Sequence, residues 1–411
     1  MKRVLTAAAF STACLFAFNP AAPAAAQQVS AFPSTGNSAR NGEVAIPLRV
    51  EAGQHYLMQG RIDTNIDGPG ETEDMSAVFT YTLALDVEQF GRDGGVWRWS
   101  IENIGIESLE SGQDTTNLPW PAMGTMLSAA TRLMTDIDFV CRVDASGACV
   151  ELLNWPDWRE RAENLALIAS GAVMIAAGQP QVSVSPDGTP KPQPGGAPAA
   201  SPSPAAIAAV INNVTGLVLD GFDNRIAAGM MAMPMISGLQ GQSLRAGVET
   251  PTESLIALPF GAAPIRYAGS ITLESVDRQA NEATFTRRVT LDQTALKTSL
   301  NAMAANLMPQ ILAAAAPVMP AVPEGTDPAT TGQAMAGMVA AALATIELDY
   351  TENTRGAVDM RTGLVKNATT TINYTVGASG NENLMSATST LTFGFVPGTP
   401  PRPRLGANAP R

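Results

Sequence analysis

The chain has 411 residues, of which 5% are aromatic and 15% charged, and its formal net charge is −12 at pH 7. It has no cluster of Lys and Arg that could neutralise phosphates, so we exclude a nucleic-acid-binding function. His55 is the only histidine in the sequence. Its isolation excludes zinc sites built on several histidines, and excludes Ser-His-Asp triads and Cys-His dyads unless His55 itself takes part.

Residues 1–26 have the pattern of a secretory signal peptide. Lys2 and Arg3 precede an apolar stretch, and three alanines stand before Gln27 as a cleavage site. We therefore expect an exported protein, periplasmic or extracellular. The alternative is a lipid anchor at Cys14, which follows a small residue but lacks the leucine three positions earlier.

The first predicted strands lie in the N-terminal half. Residues 77–88 alternate between apolar and more polar side chains, and Trp97, Trp99 and Ile101 share one face of the next strand. Helical spacing follows at 121–135 and again at 155–177, where Asn154 is the expected N-cap.

Cys141 and Cys149 flank a strand–turn–strand pattern with Gly147 in the turn. In an exported chain this spacing predicts a disulfide across a hairpin. A redox-active pair is the alternative, and we disfavour it because neither cysteine lies in a C-x-x-C motif at a helix start.

Residues 179–204 are rich in Pro, Gly and Ser and predict a mobile, extended linker. A Met-rich helical stretch at 205–240 comes next, then strands at 264–277 and 281–292. An amphipathic helix follows, with apolar residues at helical spacing: Leu296, Leu300, Met303, Leu307 and Ile311. After a Pro-rich break come an Ala- and Met-rich helix at 329–344 and a run of strands at 345–396.

Strands with one Thr-rich face and one apolar face predict a mainly antiparallel sheet that is covered on one side. We expect an α+β fold: a large, curved, half-barrel-like sheet with Ala- and Met-rich helices packed on one face. Long uncharged stretches hold Pro, Gly and Gln, so we interpret them as core helices and expect no transmembrane span in the mature chain. The expected units are a signal peptide (1–26), strands plus helices (27–178), the linker (179–204), helices and strands that complete the same sheet (205–396) and a disordered tail (397–411).

The sharpest local motif is an acidic stretch with calcium-loop spacing. Oxygen ligands stand at positions 1, 3, 5, 9 and 12 with glycine at position 6, and the ligands are Asp63, Asn65, Asp67, Glu71 and Asp74. Over these twelve residues the stretch is similar to an EF-hand loop. Position 12 is Asp rather than Glu, and the flanking residues have strand patterns. We therefore favour an ordinary hairpin and expect neither a metal ion nor a cofactor.

Other signals of catalysis are weak. We find no nucleophile elbow, phosphate-binding loop or dinucleotide fingerprint in a strand–turn–helix context. Glu107 with Glu110, or Asp220 with Asp223, could converge as carboxylate pairs, although such spacings are common in acidic chains. We expect His55 to be structural.

These observations favour a non-catalytic cell-envelope protein that holds an apolar, lipid-like ligand or an envelope protein partner between sheet and helices. Two alternatives remain: a secreted hydrolase that uses carboxylates, and a purely structural component of an envelope assembly.

Overall fold

The computed structural model describes residues 43–67, 74–111, 138–163, 213–217, 219–230, 239–240, 242–256, 258, 262–315, 346–378 and 385–398. The predicted signal peptide, the linker at 179–204, the predicted helices at 121–135 and 329–344, and residues 399–411 of the predicted tail lie outside the described residues.

Strands dominate the described residues. In chain order they are β1 (Glu43–Ala45), β2 (His55–Asp67), β3 (Met75–Gly91), β4 (Gly94–Ser111), β5 (Phe139–Val143), β6 (Cys149–Leu152), β7 (Ser243–Arg245), β8 (Glu249–Ile256), β9 (Ile265–Asp277), β10 (Glu282–Leu291), β11 (Ile346–Asp359), β12 (Val365–Ala378) and β13 (Met385–Pro397). The helices are α1 (Asn224–Met230) and α2 (Gln293–Ala315), with further helical residues at 155–163 and 213–217.

Eleven strands form one antiparallel sheet in the order β6-β5-β4-β3-β2-β13-β12-β11-β10-β9-β8, and β1 and β7 form a separate two-stranded sheet. The first and last long strands meet in the middle of the large sheet, where Ile62 on β2 pairs with Leu391 on β13. The sheet does not close, because β6 and β8 are its two edges.

Side chains alternate between two faces of the sheet, as the period of two in the sequence requires. On β13 the buried residues Ala387, Leu391 and Phe393 point to one side, while Thr388 and Thr392 are exposed on the other. We call the buried side the inward face and the Thr-rich side the outward face. The inward face carries most of the hydrophobic core, including Trp97, Trp99 and Phe395.

The predicted α+β class is wrong, because the described residues are mostly β-strand and their helices are few. The sequence that flanks the predicted helical stretches forms long strands. Strand β3 has 17 residues and β4 has 18. Their Val, Thr, Ile and aromatic residues favour extended backbone. Helix α1 has only 7 residues. The described helices therefore do not form a layer that matches the sheet.

Strands β5 and β6 form the predicted hairpin at one end of the sheet. Cys141 and Cys149 are joined by a disulfide, with their Cα atoms 5.4 Å apart. In the turn, Gly147 has a φ of 84°, and Asp144 Oδ1 accepts the N–H groups of Ser146 and Ala148. The left-handed backbone at position 147 is one that glycine adopts without strain.

The sequence suggested that the Asn154 side chain caps the following helix, but in the structure this side chain makes other contacts. Its amide instead bonds to the start of β5, donating to Asp138 O at 2.7 Å and accepting from Val140 N at 3.0 Å. Trp158 Nε1 also donates to Asp138 O, at 3.1 Å. Asn154 thus ties the helical residues to the sheet edge.

No helix among the described residues is long and apolar enough to cross a membrane.

Candidate ligand-binding face

The inward face is a continuous apolar surface across many strands. One row of directly paired residues crosses from β10 to β4 and consists of Phe285, Gly356, Ala368, Phe393, Gly60, Tyr81 and Ile104. All but the two glycines belong to the core cluster or pack against it. Sheet pairing therefore places residues from distant parts of the sequence side by side on a single apolar face.

A buried ion pair interrupts this apolar face between β10 and β11. Arg287 Nη1 donates to Glu352 Oε1 at 2.8 Å, and the two side chains are 8% and 2% exposed. The carboxylate also accepts from Tyr350 Oη at 3.2 Å and from Thr354 Oγ1 at 3.3 Å. Because Thr354 donates to Glu352, the 2.9 Å hydrogen bond between Thr354 and Thr370 has Thr370 as its donor.

Two tyrosines flank the ion pair. Tyr267 and Tyr350 make an edge-to-face contact with their ring centroids 5.7 Å apart. Burial, and secondly the negative charge of Glu352, raise the pKa of Tyr267 to about 12. The same two causes hold the pKa of Tyr350 well above its ordinary value. Both phenols therefore stay protonated at neutral pH and can donate hydrogen bonds.

A second polar spot lies nearer the middle of the sheet. Thr64 on β2 and Ser389 on β13 share a buried hydrogen bond of 3.0 Å between their hydroxyl oxygens. Their neighbours on the same face of β2 and β13 are buried apolar residues, including Ile62, Ile66 and Leu391. These described polar groups of the inward face are thus gathered in two small hydrogen-bonded groups.

The Tyr81 phenol is a polar group of this face that has no hydrogen-bond partner among the described residues. Its oxygen is buried and makes no hydrogen bond. Its ring crosses over Gly60 on the neighbouring strand, where a Cβ would lie 2.2 Å from Tyr81 Cζ. Trp97 Nε1 and Asn301 Oδ1 are likewise buried without partners.

His55 is packed at the start of β2. Its side chain is 4% exposed, and its Nδ1 lies 2.6 Å from Asp86 Oδ1 on β3. Gly398 donates its N–H to His55 O, and a Cβ at position 398 would lie 2.9 Å from His55 Nε2. The histidine therefore joins β2, β3 and the end of β13.

The residues of the calcium motif do not surround a common point. Asp63, Asn65 and Asp67 alternate along the outward face of β2, opposite Thr390, Thr388 and Ser386. Ser386 Oγ donates to Asp67 Oδ2 at 3.2 Å. Asp74 is exposed just before β3, and Glu71 lies outside the described residues. The described part of the chain holds no group of three or more His, Cys, Asp or Glu residues arranged for a metal ion.

The candidate carboxylate pairs are engaged separately. Glu107 on β4 forms an ion pair with Arg61, and Asp220 forms one with Arg159. Asp223 caps α1, because its Oδ1 accepts the N–H groups of residues 225 and 226 at 2.9 and 2.7 Å. Arg159 also pairs with Glu163, and Glu110 is exposed on β4. These contacts stabilise local structure.

A shallow groove of about 430 Å³ lies on the outward side of the sheet edge and is lined by Glu249, Pro251, Ala268, Gly269, Ser270, Arg288 and Thr290. Its lining includes the exposed charged side chains of Glu249 and Arg288.

Sequence reasoning missed Arg287, Glu352 and Tyr81. The sequence did hold a signal for Arg287, because this residue alternates in phase with the apolar residues Ala283, Phe285 and Val289 of β10 and so falls on their face of the strand. A charged residue at one core position predicts a buried partner, but that partner lies 65 positions away in sequence. Tyr81 fits an apolar strand face so well that its unpaired hydroxyl becomes visible only in the structure.

No family model and no curated protein matches the chain. Among solved structures, one of lipovitellin that describes lipid–protein interactions in that protein matches with a TM-score of 0.35 and 9% sequence identity. The match covers 86% of this chain and 26% of the lipovitellin chain, so this chain spans about a quarter of that protein's length.

Proposed function

We propose that the protein is an exported, non-catalytic binding protein that holds an apolar, lipid-like ligand against the inward face of its sheet. The observation that carries the proposal is the inward face itself. It is apolar over many neighbouring strands, has polar groups at a few isolated positions, and contains one buried phenol without a partner. Ligand sites for apolar molecules combine a mostly apolar lining with a few placed polar groups.

The state of the titratable side chains supports binding rather than catalysis. His55, the only histidine of the sequence, is packed between Asp86 and Gly398. Glu352 is enclosed by three donors from its own sheet. These groups hold strands together, and a general acid or base needs access to a substrate proton.

Two features support export. The N-terminal pattern is that of a signal peptide, and the Cys141–Cys149 disulfide is of the kind that persists in oxidising compartments. The same disulfide anchors β5 and β6, which form one edge of the sheet that carries the proposed ligand face.

The test is direct analysis of what the protein carries. The full chain, expressed with its leader and purified without detergent from the exported fraction, is examined by native mass spectrometry and by solvent extraction. We expect an apolar molecule at close to one per chain. Protein that carries none, and that also fails to bind added medium-chain esters, alkanes and acids after solvent extraction, contradicts the proposal.

A matched pair of variants links binding to the correct face. Leu391→Gln places an amide on the inward face of β13, whereas Thr392→Gln places one on the outward face of the same strand. We expect the first change to lower ligand content and the second to leave it unchanged, with circular dichroism confirming that both proteins fold. Equal ligand content in the two variants contradicts the assignment to the inward face.

A further inference from the structure

We propose that the ligand carries an uncharged hydrogen-bond acceptor, of the type found in a carboxylic ester, which accepts the phenolic O–H of Tyr81 on the inward face. This inference rests on the proposed function, because it names the chemical class of the ligand that the face binds. It is carried by the position, isolation and surroundings of one hydroxyl group.

The position of the Tyr81 hydroxyl is fixed by a glycine. Tyr81 on β3 pairs directly with Gly60 on β2. A Cβ at position 60 would lie 2.2 Å from Tyr81 Cζ and 2.3 Å from its Oη, so no other residue at this position leaves room for the ring. Gly60 thereby lets the phenol lie flat across the neighbouring strand and directs its O–H over β2.

That hydroxyl has no partner, although it is buried. Buried tyrosine hydroxyls are normally paired, because an unpaired donor loses its hydrogen bond to water without a replacement. A trapped water is a poor substitute, since it needs two to four polar partners of its own. The neighbours of the ring on the same face are apolar, and they are Met58, Ile62, Phe79, Leu83 and Phe393.

The surroundings select an uncharged acceptor. Burial alone raises the pKa of Tyr81, with no charged group contributing. Among the described residues, the buried cation of the inward face is Arg287, which is already paired with Glu352 and lies five strands away, about 24 Å across the sheet. A carboxylate or phosphate beside Tyr81 would therefore be a buried charge without a counterion, which is strongly unfavourable.

An ester meets these conditions, because its carbonyl oxygen accepts a hydrogen bond without adding charge and its acyl chain matches the apolar neighbours. An alkane fills the same space but leaves the phenol unpaired. A site with a buried donor discriminates against a ligand that lacks the acceptor. The protein should therefore prefer a medium-chain ester to an alkane of equal size and to the free acid.

The experiment compares three probes on the full, solvent-extracted protein: methyl octanoate, undecane and octanoate at pH 8. Binding of the volatile ester and alkane is measured by headspace depletion, and binding of the acid by titration calorimetry. We expect the ester to bind about five- to tenfold more tightly than the alkane, as one neutral hydrogen bond provides, and octanoate to bind more weakly than the ester.

The decisive variant is Tyr81→Phe, which removes only the unpaired hydroxyl. We expect its ester affinity to fall to that of the alkane while alkane affinity is unchanged. The unfolding temperature of the ligand-free variant should not fall, since no internal hydrogen bond is lost. Tyr374→Phe is the matched control and should keep the ester preference, because Tyr374 packs against Ile66 and Ala387 in a hydrophobic cluster separate from that of Tyr81.

Several outcomes overturn the inference while the proposed function stands. They are equal ester and alkane affinity in the wild-type protein, a Tyr81→Phe variant that keeps the ester preference, and octanoate binding more tightly than the ester. A clear fall in the stability of ligand-free Tyr81→Phe also overturns it, because the hydroxyl would then be paired within the protein. If the wild-type protein binds none of the probes, the proposed function itself fails.

Discussion

Arg287 on β10 and Glu352 on β11 are joined diagonally across the sheet, with 2.8 Å between Arg287 Nη1 and Glu352 Oε1. The direct neighbour of Arg287 is Thr354, and the direct neighbour of Glu352 is Val289. A shift of one residue between β10 and β11 would place one of the two charges on the opposite face. The pair therefore favours the observed register, at the cost of removing two charges from water.

We expect single substitutions of this pair to destabilise the protein much more than the double substitution does. Arg287→Met or Glu352→Leu alone leaves a buried charge unpaired and should lower the free energy of unfolding by about 3–5 kcal/mol. The double variant removes both charges and should recover most of that loss. Urea denaturation of the four proteins gives the coupling energy. Single variants as stable as the wild type would show that the pair is not sealed from water.

We expect Cys141 and Cys149 to be oxidised to each other in the exported protein. The bond spans 8 positions in sequence and closes a short loop, so it should contribute about 2–3 kcal/mol. Intact mass after alkylation without reductant should show no labelled thiol on these cysteines. A double Cys→Ser variant should unfold at lower urea concentration. Two alkylated thiols in the exported protein would contradict this prediction.

Four tyrosines make the protein sensitive to alkaline pH. Burial raises the pKa values of Tyr56, Tyr81, Tyr267 and Tyr350 above 10.0. In the unfolded chain these phenols ionise near pH 10, whereas Tyr267 in the folded protein ionises at about 12. Their contribution to stability is therefore complete below pH 10 and is lost as the pH rises from 10 towards 12.

The size of this effect can be measured at Tyr267. A pKa raised from 10.0 to about 12 corresponds to about 3 kcal/mol of stability, of which about 2 kcal/mol is lost by pH 11.5. We expect the wild-type free energy of unfolding to fall between pH 9 and pH 11.5. In Tyr267→Phe the fall should be smaller by that amount, whereas a Phe90→Tyr control should not reduce it. An equal fall in wild type and Tyr267→Phe would contradict the prediction.

The strands could be predicted from the sequence because their signal is local. Alternation at 77–88 lies within β3, the predicted strand at 264–277 matches β9, and spacing from Leu296 to Ile311 lies within α2. The fold class could not be inferred in the same way. It depends on how much of the chain the helices occupy and on which strands pair. Strand pairing is not a local property, since the paired residues Ile62 on β2 and Leu391 on β13 are 329 positions apart in the sequence.

The candidate face was harder to predict than the strands. A phenol on an apolar strand position gives no sign that its hydroxyl is unpaired, because that depends on the neighbouring strand. Only the pairing of Tyr81 with Gly60 reveals it. The acidic motif is the reverse case, since its spacing is local and suggestive while Asp63, Asn65 and Asp67 lie on extended backbone.

Calcium binding at this motif is the last prediction. Asp63, Asn65 and Asp67 lie on β2, which is paired on both sides, by β3 and β13. At about 3.3 Å per residue the Cα atoms of Asp63 and Asp67 are about 13 Å apart. Calcium ligands must approach the ion to within about 2.6 Å, so both carboxylates could bind one ion only if β2 left its neighbours.

We therefore expect thermal melts of the full chain in 5 mM calcium and in chelator to coincide. A site with a dissociation constant of about 0.5 mM would add roughly 1.4 kcal/mol at ten times that concentration, which is a shift of several degrees in a domain of this size. Asp63→Ala with Asp67→Ala tests the motif, and Asp349→Ala, on the outward face of β11, is the matched control. A calcium-dependent rise that disappears in the double variant and persists in the control would establish the site and show that the β2 pairing opens to form it.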